Sequence, residues 1–378
     1  MPSDIRVSAA LIVRDEEKFL EGCLASIVDH VDEIVVVDTG SSDSTIEIAR
    51  SFPVRLLERR WRDDFAWARN EALAAATGSW ILYIDADERM AVPVGTTLSE
   101  GLGGRDVFAS RVLFRPTVHA TPYREYRLFR NDPRLRFRGS MHETMLPDLD
   151  HLRAEHGVRV TESPVEILHL GYEGDQLAKH RRNLPLLRAA IAENPDRLYY
   201  WHHLAETLGG LGETAEALEI GAEGLRRARQ LGVGHADGAI AALMVLTHAR
   251  RLIDRGAEAL PIIEEGFAFY PRNPSLELLK ARVLVDRGEL AEALAILSRL
   301  SAIDSSTYRD ERLAHDRRVF DVYAPDLMGV VLLRLGRRAE AGKSFAKAAA
   351  AAPDELSYRI KAEAFRSRPQ PEASASRP

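Results

Sequence analysis

An apolar run, Trp80-Ile-Leu-Tyr-Ile84, leads directly into Asp85-Ala86-Asp87-Glu88, so a buried strand would present several carboxylates at its carboxyl end. Ligands of open α/β sheets bind at that edge. Carboxylate oxygens are hard donors that suit Mg2+ or Mn2+, and an ion held by one or two of them completes its shell with water and substrate phosphates. A solvated acidic turn would carry the same letters, because paired aspartates are common. Farther along, Arg127-Leu-Phe-Arg130 precedes Phe137-Arg-Gly-Ser-Met-His142-Glu143. Arg127 and Arg130 have forked donors for phosphate oxygens, or they form a solvated strand face. His142-Glu143 does not continue as His-Glu-x-x-His, since Met145 and Leu146 follow, and the zinc-protease reading fails. Cys23 is the only cysteine, which removes intramolecular disulfides and cysteine-based zinc motifs.

Strands and crossover helices must position these groups. Val7–Val13, Glu33–Val37, Val54–Leu57 and Trp80–Ile84 are short β-branched or apolar runs, the pattern of parallel strands. Between them Phe19, Leu20, Cys23, Leu24 and Ile27 fall at helical spacing. A second helix starts near Ser44, where Ser44 and Glu47 have capping-box spacing, and a third runs from Phe65 to about Ala76 before Gly78. From Val107 to Leu170 the chain turns to mixed strands and Arg-rich loops, with Val107–Arg115, Arg124–Arg130 and Val158–Leu170 the expected strands. An acceptor region would lie there.

After Gly171 the composition shifts to Ala, Leu, Glu and Arg, which marks the expected domain boundary. Three stretches align on a turn glycine: Leu204, Ala205, Leu208, Gly212, Ala217 and Gly224; Ala281, Leu284, Gly288 and Ala293; Gly329, Leu332, Gly336, Ala341, Phe345, Ala348 and Pro353. They resemble tetratricopeptide repeats, in which small residues let paired helices approach closely. A weaker pair near Gly256 fills the gap, and the unequal spacing makes the array irregular, with a generic helical bundle as the alternative. The expected division is a domain over 1–172, a helical repeat domain over 173–365 and a disordered Pro-, Ser- and Ala-rich tail over 366–378.

The chain has 378 residues, 46% of them apolar and 29% charged, enough for two sizeable cores. Its formal charge of −6 gives no reason to expect a nucleic-acid partner. No basic leader with an apolar stretch and no run of about 18 apolar residues is visible. A cytoplasmic protein without a transmembrane segment is the expectation.

Context gives the acidic segment its meaning. Ser8 to Val13 with Arg14-Asp15-Glu16, Val31 to Asp38 with Thr39-Gly-Ser-Ser-Asp43, Asp64-Phe-Ala-Trp-Ala-Arg69-Asn70, and Gly78 to Glu88 follow in one order. Together they resemble the nucleotide-binding half of glycosyltransferase family 2, the GT-A fold, and within it the lipopolysaccharide-type and bacteriocin S-glycosyltransferases that carry helical repeats. The resemblance covers roughly the first 170 residues and implies a Rossmann-like mixed α/β sheet followed by an all-α repeat domain. It also implies an inverting, metal-dependent transfer of a hexose from a nucleoside-diphosphate sugar, UDP-linked, to an acceptor hydroxyl or thiol.

Site roles come from the same likeness. Val13, Glu16, Asp38, Arg69, Asn70, Asp85 and Ala86 would contact the nucleotide sugar, with simple placement on a helix surface as the alternative for Arg69 and Asn70. A carboxylate such as Asp38 accepts from a uracil N–H or a ribose hydroxyl, or it caps its own turn. Asp87 and Asp85 would hold Mn2+ or Mg2+, while Glu88 is open to a structural role; His169 of the closing Leu168-His169-Leu170-Gly171-Tyr172 would join the metal or donate to the diphosphate, with a satisfied core histidine as the alternative. Glu143, preceded by His142, matches the family's base, which takes the proton of the attacking acceptor; a salt bridge to a neighbouring arginine is its alternative. Asp15 stands where the family has Asn.

Competing chemistries lack their parts. Val13-Arg-Asp-Glu16 has no glycines for a dinucleotide fingerprint, and no Walker loop occurs. A nucleotidyltransferase would use similar acids, but His142-Glu143 adds an acceptor-side base. The reading from another class is a non-catalytic nucleotide-sugar sensor whose repeats bind a partner peptide. In either case the acceptor or partner is a peptide, protein or glycan, and the repeats recognise it or form a homodimer.

Overall fold

The β-branched runs pair as parallel strands because both of their faces are covered. In the computed structural model, which describes residues 5–117, 119–170, 176–234 and 237–365, these are Val7–Val13 (β1), Glu33–Asp38 (β2), Arg55–Glu58 (β3) and Trp80–Tyr83 (β4). The helices Leu20–Ile27 (α1), Thr45–Arg50 (α2) and Phe65–Ala75 (α3) connect them. Along β1 the side chains alternate: Val7, Ala9, Leu11 and Val13 join the core that holds Leu20, Cys23, Leu24 and Ile27 of α1, while Ala10 joins the core that holds Ala66, Ala72 and Leu73 of α3.

The sheet is completed by Glu88–Ala91 (β5), Val107–Arg115 (β6), Tyr123–Arg130 (β7) and Arg159–His169 (β8), with helix Leu146–His156 (α4) before β8. The strand order is β3-β2-β1-β4-β7-β6-β8-β5. β4 runs antiparallel to β7, β7 to β6 and β8 to β5, whereas β6 and β8 are parallel. The expected mixed α/β sheet is present. β5 and α4 were not expected: β5 is a short strand hidden in an acidic segment, and α4 has no amphipathic stripe that stands out from its polar residues.

Helices continue as Gln176–Glu193 (α5), Leu198–Gly210 (α6), Thr214–Leu231 (α7), Gly238–Asp254 (α8), Leu260–Phe269 (α9), Pro274–Arg287 (α10), Leu290–Ser301 (α11), Ala324–Arg334 (α12), Arg338–Ala351 (α13) and Leu356–Ala364 (α14), with a π-helical turn Val319–Tyr323 before α12. The turn glycines read from the sequence, Gly212, Gly256, Gly288 and Gly336, all have left-handed φ; Gly288 at +80° ends α10 in a conformation that a Cβ would strain. Ala281, Ala293 and Ala341 are fully buried in the helical cores, as close helix approach requires.

One compact unit runs to Ile220 and includes Arg309–Ala314; the other comprises Gly221–Tyr308 and the chain from His315. The division by compactness falls inside α7. The reason is packing: Met141 of the first unit shares a core with Leu187, Ala190, Tyr200, Leu204, Leu208 and Ala217. Gly171, Tyr172 and the tail 366–378 lie outside the described residues. Among the described residues no helix is long and apolar enough to cross a membrane.

Candidate active site

The ends of β1, β2 and β4 lie side by side, since Val13 pairs with Asp38 and Ala10 with Tyr83. The loops after β1 and β2 are stitched together. Ser42 N–H donates to Asp15 Oδ1 (2.7 Å), Asp15 N–H to Ser41 Oγ (2.9 Å) and Glu16 N–H to Thr45 Oγ1 (2.7 Å). Asp15 takes a left-handed φ of 54° in this arrangement. The Ser44–Glu47 capping box does not form; Asp43 Oδ1 accepts from Thr45 N–H (3.0 Å), and Ser44 N–H donates to Glu17 (3.2 Å). Asp38 is buried at the centre of the β2 turn, where it accepts from the N–H groups of Gly40 (2.9 Å) and Ser41 (3.1 Å) and from the Ser41 hydroxyl.

A cleft of about 710 Å3 opens over this edge, lined by Val13, Glu16, Arg69, Asp85, Ala86, Asp87 and His169 among others. The acidic turn is fixed from three sides. The Cys23 thiol donates to the Asp85 carbonyl (3.3 Å), Asp85 N–H donates to Glu88 Oε2 (2.9 Å), and Leu170 N–H donates to the Asp87 carbonyl (2.8 Å). The last bond arises because β8 pairs with β5, His169 opposite Glu88. That register brings His169 Nε2 to 3.0 Å from Asp87 Oδ2.

The histidine's other nitrogen, Nδ1, stands 2.9 Å from the Pro116 carbonyl, which only accepts, so Nδ1 carries a proton. A neutral ring then points its Nε2 lone pair at a carboxylate, an arrangement that needs a proton or a cation between them. Metal-bound histidines are held in this way, with the far N–H on a carbonyl. Burial works against a charge on His169, yet Asp87 raises its pKa, so the contact stands as an imidazolium–carboxylate pair in which a divalent ion would take the proton's place. Among the described residues Asp87 and His169 are not joined by a third His, Cys, Asp or Glu. The Asp85 carboxylate is turned away to Arg69 NH2 (2.8 Å).

Arg69 is brought in by α3, whose first turn is capped by Asp64 Oδ1 accepting from Trp67 N–H (2.9 Å). Its guanidinium is buried and spans two acids: NH2 donates to Asp85 and Nε to Glu143. Burial works against the charged guanidinium, yet Asp85 and Glu143 outweigh it and raise its pKa; Asp85 is lowered by Arg69 and Arg127 against its own burial. Asn70 next to it does not face the cleft: its side chain brackets Phe137, donating to the carbonyl (2.9 Å) and accepting from the N–H (3.0 Å). This clamp fixes the segment that carries His142 and Glu143. Gly139 is required there, with φ +95° and the Tyr200 hydroxyl 2.8 Å from where a Cβ would stand.

His142 has a left-handed φ of 49° and stacks on His203 with centroids 4.2 Å apart, Tyr199 lying against both rings. Burial is the main cause that pushes His142 down to about 4 and His203 to about 2. Glu16, on the cleft wall, is pushed up to about 7 by burial and then by Asp87, Asp85, Asp43 and Asp15.

Two expected phosphate ligands are placed elsewhere. Arg127 is buried between the rings of Tyr83 and Phe114, 4.5 Å and 4.7 Å from their centroids, and donates to Glu88 at 2.7 Å and 3.2 Å. Burial and then Asp85 raise Glu88, with Arg127 opposing. Arg130 spends Nε and NH2 on the carbonyls of Val107 and Gly104, both at 2.6 Å. Neither lines the cleft, because both of their strand positions face covered layers of the sheet.

The cleft also has a wall unforeseen in the sequence: Trp61 and Asp63 before α3, and Lys179, Arg182 and Leu186 of α5. Trp61 Nε1–H donates to Asp63 (2.8 Å) and its ring lies edge-on to Phe65 at 4.8 Å. The Trp61-Arg-Asp-Asp64 run was the available signal. Nothing distinguished Lys179 and Arg182 from the solvated face of an ordinary helix.

Residues 8–93 match the model of glycosyl transferase family 2. Over that segment the chain is similar to family 2 glycosyltransferases. Relatives extend the likeness beyond that segment. A TPR repeat-containing protein of Synechococcus elongatus is 40% identical over 235 residues, which is 59% of this chain and 57% of that protein. The SPbeta prophage-derived glycosyltransferase SunS of Bacillus subtilis is 30% identical over 215 residues, 52% of this chain and 48% of SunS. The lipopolysaccharide core biosynthesis glycosyltransferase LpsC of Rhizobium meliloti is 34% identical over 116 residues, 29% of this chain and 42% of LpsC. The chain spans about half the length of the first two. The family 2 segment contains β1 to β5 with Asp38, Arg69, Asp85 and Asp87; His142, Glu143 and His169 lie outside it.

Proposed function

We propose that the cleft binds a nucleoside-diphosphate sugar, UDP-linked, and that the protein transfers its hexose with inversion to an acceptor hydroxyl or thiol. The observation that carries this reading is the Asp87–His169 pair at the carboxyl edge of the sheet, 3.0 Å apart with Nδ1 tied to Pro116. Asp87 and His169 would hold Mn2+ or Mg2+ with Asp85 beside them, and the ion would neutralise the diphosphate as it departs. Val13, Glu16 and Ala86 line the donor's place, and Asp38 shapes the loop beneath it.

Glu143 is the proposed base. Arg69 occupies Oε1 and orients the carboxylate, and among the described residues no hydrogen bond engages Oε2. In the transfer, the acceptor's O–H or S–H proton passes to Glu143 as its lone pair forms the bond to the anomeric carbon. The carbon–oxygen bond to the diphosphate breaks, and its electron pair leaves with the diphosphate. Since the same guanidinium holds Asp85, Arg69 fixes the distance between donor side and acceptor side.

Melting of the full chain with UDP or GDP, each with and without Mn2+, tests the donor site, because a ligand that binds only the native state raises stability. Release of UDP from UDP-hexoses then separates an enzyme from a sensor. Asp87→Ala is expected to abolish both the metal-assisted shift and transfer; Glu143→Gln is expected to abolish transfer and keep the shift. Full activity in both variants would refute the assignment.

A further inference from the structure

The cleft's own charges do not suit an anionic ligand. Asp15, Glu16, Asp63, Asp85 and Asp87 all line it, and a nucleoside diphosphate adds several negative charges. Of the cations on the sheet side, Arg69 is shared between Asp85 and Glu143. Arg14 is half exposed and 3.9 Å from Asp15. The remaining cationic lining comes from α5, where Lys179, Arg182 and Leu186 are spaced by three and four residues and so share one helix face. Arg182 makes no ion pair among the described residues; its Nε donates only to Asn183 Oδ1 at 3.2 Å. Arg181, between them in sequence, does not line the cleft.

We infer that Lys179 and Arg182 complete the donor site by binding the diphosphate. The inference rests on the reading of the cleft as a nucleoside-diphosphate site. It makes α5, which lies outside the family 2 segment, part of the transfer machinery. A guanidinium offers paired donors to phosphate oxygens, and an ammonium offers a compact charge. Both strengthen as the diphosphate gains charge on leaving, so their contribution falls on the transferring step as well as on binding.

The test uses the full chain with UDP and GDP as probes, measured by calorimetry in Mn2+ and in a chelator. Lys179→Ala and Arg182→Ala should each weaken UDP binding about tenfold, and the double variant more, at a charge-assisted bond apiece. Arg182→Lys should recover part of the loss, and Arg181→Ala should bind like the wild type. Melting without ligand, unchanged in every variant because these side chains are exposed, shows that the fold is intact. A double variant that binds UDP within about twofold of a binding-competent wild type overturns this inference and spares the donor site. A wild type that binds neither UDP nor GDP overturns both.

Discussion

Replacing Arg127 by Met separates a structural arginine from a phosphate ligand. The side chain is 4% exposed, and its NH1 and NH2 donate to Glu88, itself 1% exposed, at 3.2 Å and 2.7 Å. Removing one partner of such a pair leaves a buried carboxylate without its counter-ion, which costs about 3–5 kcal/mol. Met retains most of the contact with Tyr83 and Phe114, so the aromatic stacking adds less than about 1 kcal/mol. For a unit of this size the sum corresponds to a melting temperature lower by roughly 6–20 °C. Glu88 also accepts the Asp85 N–H, so the loss should loosen the acidic turn. Thermal and urea unfolding of Arg127→Met, of Glu88→Gln and of the double variant close a cycle. The double variant, which keeps an acceptor for Asp85 without a buried charge, should be more stable than Arg127→Met alone. A loss under about 1 kcal/mol in Arg127→Met, together with a large loss of UDP affinity, would refute the structural reading and return Arg127 to the phosphates.

The His142–His203 stack predicts acid lability. Both rings have native pKa values below the ordinary 6.5, so under that pH the unfolded chain takes protons that the native state refuses, and stability falls as pH drops toward about 4. Between about pH 7.5 and about pH 5 each contributes a loss of up to about 2 kcal/mol. His203→Phe should reduce that loss, and a urea midpoint with the same pH dependence as the wild type would contradict it. His169→Ala should abolish the Mn2+-dependent part of the UDP melting shift and leave ligand-free melting near normal; an unchanged Mn2+ response would remove His169 from the metal. Gly139→Ala combines a left-handed φ with a clash against the Tyr200 hydroxyl and should lower transfer more than UDP binding. Tyr200→Phe in that background should restore part of the activity, and no restoration would place the defect in the backbone alone.

Much of the sheet was legible because parallel strands covered on both faces leave continuous β-branched runs. β1 was read with its true bounds for this reason. The acids at the end of β4 were legible through their place after such a run, and the turn glycines through the left-handed φ that a helix end requires. Arg127 and Arg130 were misplaced because a strand's letters do not say which face a neighbouring layer covers. The sequence could equally have made them a phosphate clamp.

By itself, then, the sequence determined the strand–helix rhythm, the acidic turn and the helical second half, since these follow from periodicity and local backbone chemistry. Only the tertiary structure decided which side chains lie together. Pairing of β8 with β5 joined His169 to Asp87 across 82 positions, and the Arg69 side chain linked Asp85 to Glu143. Packing of α5 and α6 around Met141 brought Lys179 and Arg182 to the cleft. Such contacts depend on register and burial between distant segments, which no local pattern encodes.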